Sequence, residues 1–177
     1  MTSAGWFAVL VGAVAVERLV ELVISKRNLA RALARGGAES GRGHFPAMVA
    51  LHTGLLVGAV AEVVVLDRPF LPGLGWPALV VALACQAGRY WCIAVLGEQW
   101  NTRVVVVPGL GAVARGPYRW LRHPNYVVVV VEGIALPLVH SAWLTAAVFT
   151  AANAVLLLRY RIPAEERALA ALTAVPR

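Results

Sequence analysis

The chain has 177 residues, of which 60% are hydrophobic and 14% charged, whereas a soluble domain is usually about 45–50% apolar and about 25% charged. The apolar excess excludes an ordinary water-soluble protein. The net charge of +7 does not indicate a nucleic-acid partner, because the basic residues lie between hydrophobic runs and not in one stripe with aromatic residues. The sequence therefore predicts an all-α, polytopic integral membrane protein.

Five hydrophobic runs are predicted to cross the membrane as helices, since a crossing needs about 20 apolar residues. The first three runs cover residues 5–24, 45–66 and 76–96. The fourth and fifth share the apolar stretch 126–160, which we expect to break near Pro137 into a helical hairpin. The interval 97–123 is too polar and too rich in glycine and proline to span, so we interpret it as an interfacial or cytosolic segment.

The lysines and arginines predict the orientation of these spans. Most of the 16 basic residues follow the first, third and fifth spans, and only Arg68 lies in a loop on the other side. Loops rich in lysine and arginine stay in the cytoplasm. We therefore expect the N-terminus outside and the C-terminus inside.

Charged side chains inside the spans are costly and need partners. Glu17, Arg18 and Glu21 lie late in the first span, where they form either an interfacial ion pair between Arg18 and Glu21 or a polar lining of a site. Arg89 in the third span requires an anionic partner. Glu132 in the fourth span is expected to pair with an arginine of the loop before it.

Other polar or reactive side chains in the spans are predicted to have structural roles. Glu62 is expected to snorkel at the outer end of the second span, and His52 to bond a neighbouring helix. Cys85 and Cys92 lie on one face of a helix, too far apart for a local disulfide, so we interpret them as packing residues. No cluster of cysteine and histidine has metal-ligand spacing, and no metal site is predicted.

Two polar segments flank the predicted hairpin and should meet at one membrane face. Residues 116–126 enter the fourth span, and residues 159–167 leave the fifth. The topology brings together His123, Asn125, Tyr126, Arg161, Glu165 and Glu166. An anchor for anionic lipid head groups would explain the arginines but not two adjacent acids beside a surface that repels them. We therefore interpret the convergence as a functional site.

The run from Pro108 through Arg122-His123-Pro124-Asn125-Tyr126 to Arg161-Ile162-Pro163-Ala164-Glu165-Glu166 resembles the isoprenylcysteine carboxyl methyltransferase family and its phospholipid methyltransferase relatives. Upstream, residues 17–21, 25–28 and 37–44 resemble a bacterial branch associated with type III polyketide synthases, which O-methylates alkylpyrones or alkylresorcinols. The resemblance implies an S-adenosylmethionine-dependent membrane methyltransferase of the bacterial cytoplasmic membrane. It also implies a lipophilic substrate and a functional link to a type III polyketide synthase.

The resemblance further implies one domain over residues 1–177, with three spans in 1–96 and a cytosolic cofactor pocket in 97–177. His123 and Tyr126 would contact S-adenosylmethionine, and Asn125 would shape the turn. Glu165 or Glu166 would hold a polar group of the cofactor. The chain at Gly109 and Gly111 would approach the ligand closely, because glycine has no side chain.

The chemistry of methyl transfer predicts which residues act on the substrate. Methyl transfer from a sulfonium mainly requires alignment of two reactants. An alkylpyrone hydroxyl or a carboxylate is already ionised, whereas a resorcinol hydroxyl, with a pKa of about 10 like that of tyrosine, needs a base. The sequence offers no unambiguous base, so we expect an acidic hydroxyl on a lipid acceptor, oriented by Arg161 or Arg103. The substrate-side candidates are Glu17, Arg18 and Glu132.

Two other functions remain open at this point. The Arg-His-Pro-Asn-Tyr motif followed by a glutamate also resembles membrane sterol reductases that use NADPH. The other alternative is a small non-catalytic membrane scaffold or transporter, which predicts no cofactor binding and no loss of function when His123 or Glu165 is changed. Titration with both cofactors distinguishes these alternatives.

Overall fold

The computed structural model of the protein describes residues 2–173, with side chains to residue 170. The described helices and strands are α1 (Ser3–Ala34), β1 (Ala38–Ser40), α2 (Phe45–Val65), α3 (Pro72–Leu96), β2 (Val104–Val106), α4 (Pro124–Leu138), α5 (Trp143–Leu156) and α6 (Ile162–Thr173). A π-helical segment, Leu157–Arg161, joins α5 to α6. The end of the predicted tail, residues 174–177, lies outside the described residues.

Helices dominate the fold, and α1 to α5 carry many exposed large hydrophobic side chains. Three described helical runs are long and apolar enough to cross a membrane: Arg42–Val65, Pro72–Gln99 and Trp143–Ala170. The prediction of an all-α membrane protein is confirmed. Of the five predicted spans, the fourth corresponds to α4, a shorter apolar helix of 15 residues, where a full crossing needs about 20.

Helix α1 extends well beyond the predicted span 5–24 and ends at Ala34. Its second half is polar, but it is rich in alanine, leucine, lysine and arginine, which favour helices. Gly36 ends the helix with a φ of 76°, and the next amide, of Gly37, donates to the carbonyl of Ala32 at 2.9 Å. One face of α1 is buried from Phe7 to Asn28: Phe7, Val11, Val14, Glu21, Ser25 and Asn28.

The buried face of α1 changes character along the helix. Its first half packs in an apolar core with Ala59 and Val63 of α2 and with Leu136 and Val139 of the hairpin. The buried residues of its second half, Glu21, Ser25 and Asn28, are all polar. Helix α1 therefore links the membrane core to the polar side of the molecule.

The predicted break of the hairpin is confirmed between α4 and α5, where Ser141 has a φ of 58°. Glu62 does not snorkel as expected. Its carboxylate is buried and accepts hydrogen bonds from the backbone amides of Leu144 at 3.1 Å and Thr145 at 2.7 Å. It also pairs with Arg68 at 2.9 Å. Glu62 thus satisfies the free amides at the first turn of α5.

A buried ion-pair network joins α1, α3 and α4. Arg89 donates to both oxygens of Glu21 at 2.6 Å, and Arg18 bonds Glu21 at 2.7 Å. The predicted Arg18–Glu21 pair and the anionic partner of Arg89 are therefore confirmed. The partner predicted for Glu132 was wrong, because Glu132 pairs with Arg18 of α1 at 2.5 Å and not with an arginine of the preceding loop. The network holds two positive and two negative charges.

Candidate functional site

The first turn of α4 and the start of α6 meet, as the hairpin topology predicts. Pro124 occupies the first turn of α4, where its missing amide hydrogen leaves no hydrogen bond unmade. The ring of His123 stacks on that of Tyr126, with 5.3 Å between centroids and 20° between planes. The Tyr126 hydroxyl donates to Glu165. The Nε of Arg161 donates to the same hydroxyl at 2.9 Å.

The π-helical segment decides where Arg161 points. A π-helix makes wider turns than an α-helix, so it shifts the faces of the residues that follow, and such segments are frequent at functional sites. Arg161 is buried, whereas Arg159 and Tyr160 in the same segment are exposed. The π-helical segment thus directs the Arg161 side chain into the protein, while Arg159 and Tyr160 stay on the surface.

The two adjacent acids have different positions. Glu165 is half-buried, with 30% of its side chain exposed and its Oε1 at 3.6 Å from Nδ1 of His123. Glu166 has 55% of its side chain exposed and lies 3.8 Å from Nε2 of the same ring. Only Glu165 lines a cavity. The structure therefore places Glu165 on the inner side of the site and Glu166 on its outer rim.

A small antiparallel sheet, which the sequence did not predict, closes the site on another side. Strand β1 pairs with β2, with Glu39 opposite Val105. Arg103, just before β2, bonds Glu39 at 2.7 Å, and its guanidinium lies 4.2 Å from the ring centre of Phe45. Arg103 is thus committed to the contact between the sheet and α2.

The polar end of α1 holds the segment that follows α3. The side-chain amide of Asn28 donates to the carbonyls of Gly97 at 3.2 Å and Trp100 at 2.7 Å. The hydroxyl of Ser25 bonds the side chain of Asn101 at 2.8 Å. Ser25 and Asn28 lie in a segment that carries the family resemblance, but their role in holding this segment appears only once the chain is folded.

Two cavities lie on either side of these residues. One, of about 210 Å³, is lined by the end of α1, by residues 98–101, 103–107 and 110–113, and by the start of α6, and we call it the polar cavity. At its mouth lie the exposed arginines Arg31, Arg35 and Arg122. The Tyr118 phenol also lines this cavity, and burial raises its pKa above the usual value, so it stays neutral.

The other cavity, of about 330 Å³, lies between α1, α2, α4 and α5, and we call it the apolar cavity. Leucine, valine, methionine and phenylalanine side chains provide much of its lining. At its rim, Leu19, Val49 and Val57 are exposed on the apolar outer surface. This cavity is therefore open to the side that faces lipid.

The two cavities meet at one wall, which we call the septum. The residues that line both cavities are Trp100, Asn101, Asn125, Tyr126 and Arg161. Buried polar atoms at the septum have no hydrogen-bond partner in the protein, namely Nη1 of Arg161 and Oδ1 of Asn125. The adjacent Nε2 of His123 also has no hydrogen bond and lies 3.8 Å from Glu166. Because buried polar groups are nearly always hydrogen-bonded, these atoms have hydrogen-bonding capacity left for a ligand or for water.

The residues predicted from sequence divide into those at the cavities and those away from them. His123, Glu165, Gly111 and Arg103 line the polar cavity, and Arg18 lines the apolar one. Asn125, Tyr126 and Arg161 lie at the septum, in both. Gly109, Glu166, Glu17 and Glu132 line neither cavity. The sequence missed Trp100 and Asn101 at the septum and His52 and Asn153 in the apolar cavity, because only the tertiary fold brings them there.

Comparisons with known proteins give the family of the chain and one relative. The model of the isoprenylcysteine carboxyl methyltransferase (ICMT) family matches residues 78–171. The chain is 37% identical over 164 residues to a Bacillus subtilis (strain 168) protein named "Uncharacterized protein YpbQ", and the alignment covers 92% of this chain and 96% of that protein. No solved structure matches the chain. The matched region contains the hairpin, both of its ends and the whole septum.

Proposed function

Because the chain belongs to the isoprenylcysteine carboxyl methyltransferase family of membrane methyltransferases, we propose that it transfers a methyl group from S-adenosylmethionine to an oxygen of a lipophilic acceptor. The observation that carries this proposal is the septum, where a polar cavity meets an apolar one. A water-soluble donor and a lipid acceptor need two such compartments that touch at one point.

The residues of the polar cavity fit the proposed cofactor. S-adenosylmethionine carries an ammonium, a carboxylate and two ribose hydroxyls, which require acidic, basic and neutral polar partners. Glu165 offers a carboxylate to the ammonium or a ribose hydroxyl, and His123 has a buried nitrogen without a hydrogen bond. At the mouth, Arg31 and Arg35 already pair with Glu98, so the exposed Arg122 is the arginine that suits a carboxylate. When bound there, the cofactor supplies an electrophilic methyl group.

The proposed reaction does not require a covalent bond between the protein and either reactant. A bound cofactor would supply the methyl group, and an acceptor oxygen that is already ionised would take it without a proton having to leave, so no base is needed. The protein has to align the reactants and exclude water. The free Nη1 of Arg161 at the septum is placed to hold an acceptor oxygen that carries negative charge. Arg103, the alternative from the sequence, is already paired with Glu39.

The acceptor that we propose is a ring hydroxyl on a molecule with an alkyl tail, such as an alkylpyrone or an alkylresorcinol. The tail would lie in the apolar cavity and extend past its rim into the bilayer. An isoprenylcysteine-like carboxylate is the other acceptor class that the family suggests. A functional link to a type III polyketide synthase follows if such a ring lipid is the substrate.

Titration of the purified protein in detergent with each cofactor tests the proposal. We expect saturable calorimetric binding of S-adenosylmethionine and no binding of NADPH. The reverse result, binding of NADPH alone, would indicate a membrane reductase and contradict the proposal. Binding of neither cofactor would favour a non-catalytic protein.

Replacement of Glu165 tests the cofactor side of the site. Loss of a hydrogen bond to a charged group costs about 1.5–3 kcal/mol, so Glu165→Ala should weaken the binding of S-adenosylmethionine about 10- to 150-fold. Calorimetric titration measures the change. Glu166→Ala is the matched control, because Glu166 lines neither cavity, and its affinity should stay within about twofold. Equal affinities in the two variants would contradict the assignment of Glu165.

We propose that the polar cavity faces the cytoplasm of a bacterial cell, with the N-terminus outside. The basic residues around this cavity support that orientation. A cysteine at Arg35 should react only with a reagent that enters the cytoplasm, and one at Asp67 should react from outside, both in a protein without Cys85 and Cys92. The opposite labelling pattern would reverse the orientation.

A further inference from the structure

The side-chain amide of Asn101, a residue of the septum, is fixed by Ser25 of α1. The hydroxyl of Ser25 donates to Oδ1 of Asn101 at 2.8 Å, and the backbone amide of Arg103 donates to the same oxygen at 3.0 Å. At the other end of the amide, Nδ2 donates to the backbone carbonyl of Ser25 at 3.2 Å. Because Oδ1 faces two donors and Nδ2 faces an acceptor, the amide has one favourable orientation.

The hydroxyl of Ser25 has no hydrogen-bonding capacity left. Ser25 is only 3% exposed, and its one hydroxyl hydrogen goes to Asn101. Its oxygen accepts from the backbone amide of Thr102 at 3.0 Å. It also accepts from the hydroxyl of Thr102 at 2.7 Å. One donor and two acceptor sites are thereby used, so removal of this hydroxyl would release the side chain of Asn101.

The chain passes through the wall between the two cavities at Asn101. Glu98 and Gln99 line only the polar cavity, whereas Thr102 lines only the apolar one. Trp100 and Asn101, between them, line both. The fixed amide of Asn101 therefore lies where a reactant in one cavity would meet a reactant in the other.

One hydrogen of this amide is available to a ligand. A side-chain amide nitrogen carries two hydrogens, and within the described part of the chain Nδ2 of Asn101 donates only to Ser25. Nη1 of Arg161, in the same wall, also has no hydrogen-bond partner. The septum thus has one charged and one neutral donor. An ionised oxygen has several lone pairs and can accept hydrogen bonds from both.

We propose that Asn101 binds and orients the acceptor oxygen through its available N–H, and that Ser25 is the residue that positions Asn101. The inference rests on the proposed function and adds two residues to it. Asn101 gives up no proton; it fixes the direction from which the oxygen approaches the methyl group. Ser25 lines neither cavity and lies outside the region that the family model matches, so it acts only through Asn101.

Binding of a radiolabelled alkylpyrone to the purified protein, without cofactor, tests the role of Asn101. Loss of a hydrogen bond to an ionised oxygen should weaken the binding about 10- to 100-fold in Asn101→Ala. Asn101→Asp should bind still more weakly, because it keeps the shape but replaces the donor by a negative charge. The affinity of Asn101→Ala for S-adenosylmethionine should stay within about threefold. Equal alkylpyrone affinities in Asn101→Ala and the unmodified protein would overturn the proposal.

A double-mutant cycle tests whether Ser25 acts through Asn101. Ser25→Ala should lower kcat/KM for methyl transfer to the alkylpyrone about five- to tenfold. The same change made in Asn101→Ala should alter kcat/KM less than about twofold. Ser25→Thr, which keeps the hydroxyl, should retain most of the activity. Equal losses in both backgrounds would contradict the positioning role, because a general loss of stability acts whether or not Asn101 is present.

Lys26→Ala is the matched control for Ser25. Lys26 is the next residue of α1, but it is exposed and lines neither cavity. Its replacement should leave kcat/KM and the alkylpyrone affinity within about twofold of the unmodified protein. A loss similar to that of Ser25→Ala would show that any change in this turn of α1 has the same effect, and would contradict the assignment to Ser25.

The outcomes separate this inference from the proposed function. Saturable S-adenosylmethionine binding, with alkylpyrone binding that does not depend on Asn101, would contradict only the roles of Asn101 and Ser25. Absence of S-adenosylmethionine binding would contradict the proposed function, whereas the alkylpyrone assay needs no cofactor and would still measure the effect of Asn101. Absence of alkylpyrone binding to the unmodified protein would overturn this inference whatever the cofactor result.

Discussion

Replacing Arg161 by methionine should lower kcat for methyl transfer by about two to three orders of magnitude. This is the usual loss when one group that stabilises charge on a reacting oxygen is removed. Arg161 combines burial, a hydrogen bond to Tyr126 and a free Nη1 at the septum. Single-turnover kinetics at saturating cofactor measures the chemical step. Arg161→Lys keeps the charge but not the planar geometry, so it should recover only part of the rate.

A control variant for Arg161 lies two residues away. Arg159 belongs to the same π-helical segment but is exposed, and it lines neither cavity. Arg159→Met should leave kcat within about twofold of the unmodified protein. If Arg161→Met, with unchanged thermal stability, kept more than a tenth of the rate, the charge-stabilising role of Arg161 would be wrong.

Replacing Glu21 by leucine should destabilise the protein by about 3–5 kcal/mol, because it leaves a buried guanidinium without its carboxylate. Glu21 holds Arg89 through two hydrogen bonds of 2.6 Å. The free energy of unfolding in mixed detergent measures the loss. Adding Arg89→Leu should restore most of the stability, because the remaining pair of Arg18 and Glu132 is still balanced.

An exposed ion pair provides the comparison for Glu21. Glu98 pairs with Arg31 and Arg35, and all three side chains are at least half exposed. Pairs of this kind contribute about 0–1 kcal/mol, so Glu98→Leu should change the free energy of unfolding by less than about 1 kcal/mol. A similar loss of unfolding free energy in Glu98→Leu and Glu21→Leu would contradict the explanation by burial of the ion pair. So would a double variant, Glu21→Leu with Arg89→Leu, that is no more stable than Glu21→Leu alone.

The sequence predicted the parts of the site that depend on helix topology. A helical hairpin necessarily brings its two ends to one face, so the meeting of His123, Tyr126, Arg161 and Glu165 required no knowledge of side-chain packing. The need of Arg89 and Glu132 for charged partners was also evident, because lone charges are costly in a membrane. The identity of the Glu132 partner was not evident, since Arg18 lies 114 residues away in the chain.

The parts that were missed depend on tertiary contacts or on competing local signals. The charged residues in the second half of α1 led to the prediction of a loop, although the same residues have high helix propensity. Trp100 and Asn101 follow a break in the chain, and hydrogen bonds from Asn28 and Ser25 place them. His52 was expected to bond a neighbouring helix, but its Nδ1 bonds its own helix, which leaves the other nitrogen free.

The separate openings of the two cavities have a kinetic consequence for the proposed enzyme. The cofactor reaches the polar cavity from water, and the lipid acceptor reaches the apolar cavity from the bilayer. Because the two routes are separate, neither reactant has to leave before the other binds. Initial rates should therefore follow a ternary-complex scheme in which both orders of addition are allowed, without a methylated enzyme between half-reactions. The lipid reactant is sampled from the bilayer through the rim at Leu19, Val49 and Val57. Its half-saturation is then set by its mole fraction in the membrane, and diluting it with inert phospholipid lowers the rate even when the bulk amount is unchanged.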